Sequence, residues 1–490
     1  MGVDMGVDMA GDTATSARAS RSQLWVLGLA SAGSFIVVLD MLVVATALTT
    51  IQRDLGASIA DLEWTVNAYV LSCAVFLMTA AALGDRFGRR RIFAIGLGLF
   101  AAASVGCALA PTVGVLIAAR VVQGAGAAAV MPLALALLNA AIPPHRRGWA
   151  MGIYGSVTGL SAVVGPVVGG AITQGIAWQW IFWLNVPIAV VAIVALLARV
   201  AESRGPAASV DVPGLALLTV AAFGLVWGLV RANAAGWESA EIVGSLGGGV
   251  VAALLFTVWE RRVPAPMLPP RLFRSRGFTA SGVAIFLLNA ALTGAVFFTA
   301  QYFQVAGGQG PLAAGLRLLP WGIAPLLVAP RAGALSDRIG VRPLMVTGLA
   351  AQAAGLAWLA SVVGPATGYL VLVGPMTLAG IGFAMAIPAI TKSVVSSVPL
   401  ADVGKASGTY AVMRQLGGAF GVAILAAVFA RTGGYENPTA FSDGFAAAMA
   451  VAAGLAVAGA ATCLAVPRLR ASRATPVAPQ PARERAAADG

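Results

Sequence analysis

Gly84-Asp85-Arg86-Phe87-Gly88-Arg89-Arg90-Arg91 stands between two long apolar runs, and Ser336-Asp337-Arg338-Ile339-Gly340-Val341-Arg342 stands between two more. The second string repeats the first at a constant offset of 252 residues, Asp85 to Asp337 and Gly88 to Gly340. A charged turn repeated at such a distance predicts a chain made of two similar halves. In a membrane protein, two duplicated bundles predict alternating access, in which one central site opens to each face in turn.

The composition fixes the solvent. Hydrophobic residues make up 59% of the 490 residues, charged residues 10%, and the mean hydropathy is +0.88. No soluble domain can hide that much apolar surface. The apolar runs repeatedly reach the ~20 residues that cross a bilayer. No ~10-residue alternation of a barrel occurs. The expected fold is therefore an all-α membrane protein. Fourteen spans are read at 24–49, 64–83, 92–110, 113–139, 149–173, 180–197, 212–230, 242–259, 278–305, 312–335, 344–363, 368–390, 406–430 and 445–466. The 252-residue offset carries span one onto span nine and span five onto span thirteen. The plan is two pseudo-symmetric six-helix bundles, at 23–199 and 266–466, with two extra spans at 200–265 between them. The polar, repetitive segment 1–22 and the Pro-, Ala- and Arg-rich segment 467–490 read as disordered tails. The tetrapeptide repeat at the start leaves Met1, Met5 and Met9 as candidate starts, and the myristoylation pattern fails at Gly6.

Loop charge supplies the orientation. One set of loops carries Arg86, Arg89, Arg90, Arg91, Arg146, Arg147, Arg199, Arg204, Arg261, Arg262, Arg271, Arg274, Arg276, Arg338, Arg342, Lys392 and Lys405. The other carries only Arg53, Arg231 and Arg431, beside Asp54, Asp61, Glu63, Glu238, Glu241 and Glu436. Any odd number of spans would scramble this asymmetry, which puts both termini in the cytoplasm. The net charge of +12 is thereby explained without nucleic acid. Cys73, Cys107 and Cys463 fall inside spans with neither metal-ligand nor disulfide spacing, and the single His145 is in a loop. No nucleophile–base constellation and no phosphate-binding loop of the Gly-x-x-x-x-Gly-Lys-Ser/Thr type is present. No catalytic residue, metal or cofactor is expected, and ATP is not expected to be the energy source.

Ionisable groups inside the bilayer are costly and mark function. Among the carboxylates only Asp40 falls deep in a span by this reading; Arg120, Arg317 and Arg414 are the deep or partly deep cations. Asp40 lies about 24 Å and Arg120 about 20 Å above the cytoplasmic edge, counted at ~1.5 Å per residue. The two are expected to meet and to form a proton-coupling pair in which protonation of Asp40 releases Arg120. Gln123 and Gly124 share the Arg120 face at i+3 and i+4. Span five carries Gly155, Gly159, Gly165, Pro166, Gly169 and Gly170, a spacing that permits a bend and close contact with another helix. In the loop, Asp85 is expected to accept from N–H groups at the start of a neighbouring helix. Gly84, Asp85, Arg86, Gly88, Arg89 and Arg90, with Asp337 and Arg338 of the twin, would then form a conformational latch.

Together these strings resemble the major facilitator superfamily, and specifically its fourteen-span drug:proton antiporters. Gly84 to Arg91 is similar to the superfamily's loop 2–3 signature. Arg120 to Ala128 resembles its span-four motif, whose arginine is implicated in proton coupling. Gly155 to Gly170 resembles the span-five antiporter motif, and Leu39 to Leu48 the span-one motif, this sequence departing from the pattern at Leu42, Ala45 and Thr49. The resemblance covers about residues 22–466. It implies a bacterial plasma-membrane protein, expected to be monomeric, that exports a drug-like hydrophobic or amphipathic compound against proton entry. It also implies that spans one, four, nine and twelve wall the cavity, which makes Met41, Gln123, Met131, Asn289, Phe297, Gln301, Met376 and Met385 candidate contacts. Scarce deep acid argues against multivalent cations, and Arg317 and Arg414 would favour neutral or anionic cargo. The competing expectations are a proton-coupled importer of the same fold and a membrane sensor or scaffold that transports nothing.

Overall fold

The computed structural model describes residues 21–143, 146–205, 210–399 and 402–467. His145 and nearly all of both expected tails lie outside the described residues; Arg21 and Ser22 already belong to the first helix. Among the described residues there is no strand. The helices are α1 (Arg21–Leu55), α2 (Ile59–Phe87), α3 (Arg89–Ala108), α4 (Val113–Ala141), α5 (Arg147–Gly175), α6 (Trp180–Trp183), α7 (Asn185–Arg199), α8 (Val212–Ala235) and α9 (Ala240–Glu260). There follow α10 (Arg276–Val305), α11 (Pro311–Arg317), α12 (Leu319–Ile339), α13 (Val341–Val362), α14 (Tyr369–Ser396), α15 (Val403–Thr432) and α16 (Pro438–Cys463).

These make fourteen spans long and apolar enough to cross a membrane, as the hydropathy reading expects. Two are broken, and proline explains both. Pro187 has no N–H to give to Trp183, and the sixth span parts into α6 and α7 at Leu184. Pro320 has none for Leu316, and the tenth parts into α11 and α12 at Leu318. An even number of spans leaves the start of α1 and the end of α16 on one face, called the terminal face below.

The start of α2 departs from the reading. Span two is expected from residue 64, but the helix begins at Ile59. Ser58 Oγ accepts from the Asp61 N–H, and the Asp61 carboxylate accepts from the Ser58 N–H at 2.9 Å, a reciprocal cap that fixes the first turn. Glu63, placed in a loop by the sequence, is therefore inside the helix.

Packing repeats as the sequence does. In the first half α1 lies along α5, and α4 lies along both α2 and α3; in the second half α10 lies along α15, and α14 along both α12 and α13. Two seams join the halves, one where α2 meets α15 and one where α5 meets α11 and, more sparsely, α12. The extra pair is not symmetric about them. α8 packs on both α2 and α15, and its Asn233 amide donates to the Ala427 carbonyl of α15 at 2.7 Å. Phe223 and Trp227 of α8 cluster with Trp64 of α2, at centroid distances of 5.4 and 5.5 Å. α9 packs mainly on α8.

The twinned turns share a backbone. Gly88 (φ 115°) and Gly340 (φ 85°) each end one helix and begin the next in the left-handed region. That geometry strains any residue with a Cβ, and at Gly88 a Cβ would also stand 2.6 Å from the Glu202 carboxyl carbon. Gly88→Ala is expected to destabilise the protein by roughly 1–3 kcal/mol, the cost of a non-glycine residue held in such a conformation. Thermal unfolding in detergent checks this, with Gly152→Ala as control because its added Cβ meets nothing within 4 Å.

Candidate functional site

Asp40, near the middle of α1, points into the first bundle and is 2% exposed. Arg120 of α4 is 0% exposed and pairs with it, Nη1 donating to Asp40 Oδ2. The other carboxylate oxygen accepts from Asn185 Nδ2 of α7 at 2.7 Å and from Gln123 Nε2 of α4 at 2.9 Å. Gln123 also donates to Ser104 Oγ of α3 at 2.8 Å, and its Oε1 accepts from Arg120 Nη1 at 2.6 Å. Arg120 Nε donates to the Thr65 carbonyl of α2 at 3.0 Å, and the guanidinium lies 4.2 Å over the Tyr69 ring. Arg120 Nη2 has no hydrogen-bond partner among the described residues, so that ring is the cation's cover on one side. Every group in this network belongs to the first bundle.

Such a network holds a carboxylate in a dry interior only because each charge meets its opposite. Removing one partner of a buried pair costs about 3–5 kcal/mol. The network also contains a spare acceptor: Asn185 Oδ1 is buried and unpartnered among the described residues. Rotation of that amide presents Oδ1 to Asp40. A protonated Asp40 would then have somewhere to donate while losing its hold on Arg120.

Span five closes a seam. Gly165 and Gly169 face α1, where an added Cβ would stand 2.8 Å from Leu42 Cβ and 2.7 Å from the Val43 carbonyl. Gly170 faces the second bundle, with the Pro311 carbonyl 2.3 Å from the position of a Cβ. The reciprocal contact is Gly315 of α11, whose Cβ would fall 2.1 Å from the Pro166 carbonyl. Pro166 therefore lies at the crossing and the glycines let the two backbones touch. Gly159 meets only Leu326, at 3.8 Å, and Gly155 meets nothing, so the close contact is confined to the face opposite the termini. There Gln304 of α10 bonds α1, accepting from Thr49 and donating to the Thr46 carbonyl at 3.1 Å. Gln174 of α5 accepts from the Leu312 N–H at 3.2 Å.

The loop differs from expectation in one assignment. Asp85 binds Arg89 within the same turn, at 2.8 Å to Nε and 2.7 Å to Nη2. The carboxylate that accepts from a helix start is Glu202, which follows α7 and takes the N–H groups of Arg90 and Arg91 in α3 at 2.9 and 3.2 Å. The Gly205 N–H donates to the Asp85 carbonyl, and the Arg89 N–H to the Ser203 carbonyl. Gly84 lies against Leu133 of α4, Arg86 is exposed beside Phe87, and Arg338 is exposed; the Asp337 side chain lies outside the described set. Nothing in the local sequence announces Glu202, because its partner is 112 residues away.

Of the expected cavity contacts, Met41, Met131, Asn289 and Met385 are half-buried. Gln123 belongs to the Asp40 network instead. Phe297, Gln301 and Met376 are buried in packing, and Gln301 Oε1 accepts from the Tyr435 hydroxyl in the α15–α16 hairpin. Arg317 ends α11 between the rings of Tyr369 and Phe303, at 5.4 and 5.8 Å. Asp40 is not the only buried acid: Glu63, in the first turns of α2 and not in the loop where the sequence reading put it, is 3% exposed, and its Oε2 has no partner among the described residues. It shares a helical stripe with Asn67, whose amide is likewise buried and unpartnered there, and with Val70 and Cys73, which meet Gly418 and Gln415 of α15. Burial, and after it the Glu63 charge, push the Tyr435 phenol up, so it remains a donor at any physiological pH.

Comparison with known proteins agrees with this architecture. The sequence model described as Major Facilitator Superfamily matches residues 30–421 and 278–488. The chain is 36% identical over 432 residues to the tetracenomycin C resistance and export protein of Streptomyces glaucescens, covering 88% of this chain and 80% of that one. It is 36% identical over 413 residues to the multidrug resistance protein Stp of Mycobacterium tuberculosis, covering 84% and 76%. Among solved structures, a peptide transporter POT crystallised with sulfate superposes with a TM-score of 0.66, at 17% identity over 90% of this chain and 94% of that one. That likeness speaks for the fold alone.

Proposed function

We propose, since this chain belongs to the Major Facilitator Superfamily, that it exports hydrophobic or amphipathic drug-like molecules in exchange for protons. The single observation that carries the coupling is the sealed Asp40–Arg120 pair, an acid and its counter-ion at membrane depth with a spare acceptor beside them. Two relatives named for resistance, one of them also for export, support the direction of transport. The energy source is the proton gradient, and no metal or organic cofactor takes part. The protein works as a transporter rather than an enzyme, as a monomer in a bacterial plasma membrane, with the terminal face in the cytoplasm.

Residues 23–199 and 266–466 act as the rocking bundles, with 200–265 attached beside one seam. The structure has its outer contacts made: Thr49 on Gln304, Gln174 on Leu312, Gly170 on Pro311. Protonation of Asp40 frees Arg120 and alters how α1 sits in its bundle. The outer end of the same helix carries Thr46 and Thr49, so a shift of α1 reaches the seal directly. Asp85–Arg89 and Glu202 hold the α2–α3 turn to the segment after α7, and the loop moves with the first bundle as one piece.

The direction is tested in inverted membrane vesicles with an acidified interior. Accumulation of a hydrophobic test compound that collapses with a protonophore is expected. Accumulation only in right-side-out vesicles would instead identify an importer, and no gradient-dependent movement of any compound in either orientation would leave a sensor or scaffold.

A further inference from the structure

Arg414 lies eleven residues into α15, about 16 Å along a helix that starts at the terminal face, and so near the middle of a ~30 Å hydrocarbon core. It is half-buried, and no salt bridge or hydrogen bond of its guanidinium occurs among the described residues. Arg120 has Asp40, Arg231 has Glu241, and Arg317 has two aromatic rings. Arg414 has none of these. On its own helix it lies one turn from Tyr410 and one turn from Gly418; Gly418 and the adjacent Gln415 meet Val70 and Cys73 of α2, and the guanidinium is near enough to Tyr154 of α5 to bear on that hydroxyl. Val70, Cys73 and Tyr154 belong to the opposite bundle, so Arg414 is on the side of α15 turned toward the seam between bundles.

Among the described residues no carboxylate forms an ion pair with Arg414, and the polar groups on this side are neutral. Tyr154 donates to Ser34 of α1 at 2.8 Å, Tyr410 is 3.0 Å from Thr391 of α14, and Gln415 reaches Cys73 at 3.3 Å. Both bundles therefore supply hydroxyl and amide groups around one uncompensated cation. A positive charge at that depth is costly unless water or an anion meets it. Asp40 cannot serve, since its oxygens are committed to Arg120, Asn185 and Gln123 inside the first bundle.

We propose that Arg414 is the anion-recognising centre of the cargo site, taking one carboxylate, phenolate or sulfonate of an otherwise apolar molecule. The guanidinium forks onto the anion, and the neighbouring Tyr154 and Tyr410 hydroxyls supply further donors. The inference rests on the exporter reading for what happens after binding, but recognition itself needs no gradient. A cationic cargo of the same size would meet an uncompensated like charge and is disfavoured.

Equilibrium dialysis of the purified full-length protein in detergent tests this, using dansyl-phenylalanine and its primary amide as probes and protein-free micelles as blank. The acid is expected to bind wild type about ten- to a hundredfold more tightly than the amide, the range of a charge-assisted hydrogen bond. Arg414→Gln should erase the preference by weakening binding of the acid, with its elution in size-exclusion chromatography reporting that the variant is folded; Arg414→Lys should keep part of it. Equal binding of acid and amide by wild type, or a preference that survives Arg414→Gln, would overturn the proposal. Gradient-driven transport is measured separately in liposomes: an intact acid preference without transport would sink the exporter reading and leave Arg414 as an anion site.

Discussion

Asp40→Asn is expected to yield a folded protein that no longer couples export to the proton gradient, with gradient-driven transport reduced on the order of a hundredfold, the upper range of site-to-site coupling free energies. The substitution is nearly isosteric and imitates the protonated carboxyl: its Oδ1 can still accept from Arg120 and a rotated Asn185 can accept the new amide hydrogen, so the hydrogen bonds are kept although the counter-charge, and some stability with it, is lost. What vanishes is the group that takes up and returns the proton. Asp40→Ala is a different experiment, because it strands the Arg120 guanidinium in a dry interior at a cost of about 3–5 kcal/mol and should unfold much of the protein. The two variants separate a static brace from a working pair. If Asp40→Asn exports as wild type in inverted vesicles, the pair is only a brace.

The second large effect is at the seam opposite the termini. Gly170→Val is expected to hold the bundles apart there, because the new Cβ would meet the Pro311 carbonyl and, at 2.7 Å, the Leu312 Cα, both backbone atoms of the other bundle. Overpacking of this kind costs roughly 1–3 kcal/mol, enough to shift a two-state equilibrium by about ten- to a hundredfold. Export should fall at least tenfold, and liposomes should leak protons, since one barrier no longer closes. Gly155→Val supplies the internal comparison: it belongs to the same sequence pattern but adds its side chain to open space, so activity should change less than about twofold. Equal damage from both would mean that span five works through its own helicity rather than through this contact.

The contrast between those glycines shows what a sequence yields. Gly-Pro-x-x-Gly-Gly announces a close approach, but only the fold tells Gly170, which faces α11, from Gly165 and Gly169, which face α1. Asp40 and Arg120 were legible because a charge in an apolar run stands out against everything near it. Ser104 and Asn185, which complete the same network, were not, since neutral polar residues are common in spans and carry no such contrast. Glu63 was misplaced for a local reason. Its acidic neighbourhood resembles a loop, although Ser58 and Asp61 at capping-box spacing already mark a helix start four residues before it. Glu202 is beyond any local pattern, because a contact between the end of one helix pair and the start of another is made only when the bundle closes. The duplicated architecture, in contrast, could be read directly, because a 252-residue offset is a property of the whole chain.

The lopsided seating of α8 and α9 has a consequence for how cargo dissolved in the lipid could come aboard. On the flank between α2 and α15, α8 stands against the seam with Trp64, Phe223 and Trp227 packed together. Among the described residues no further helix covers the flank between α5 and α12. A framework built from two like halves therefore meets the lipid on two unlike sides, one covered and one bare.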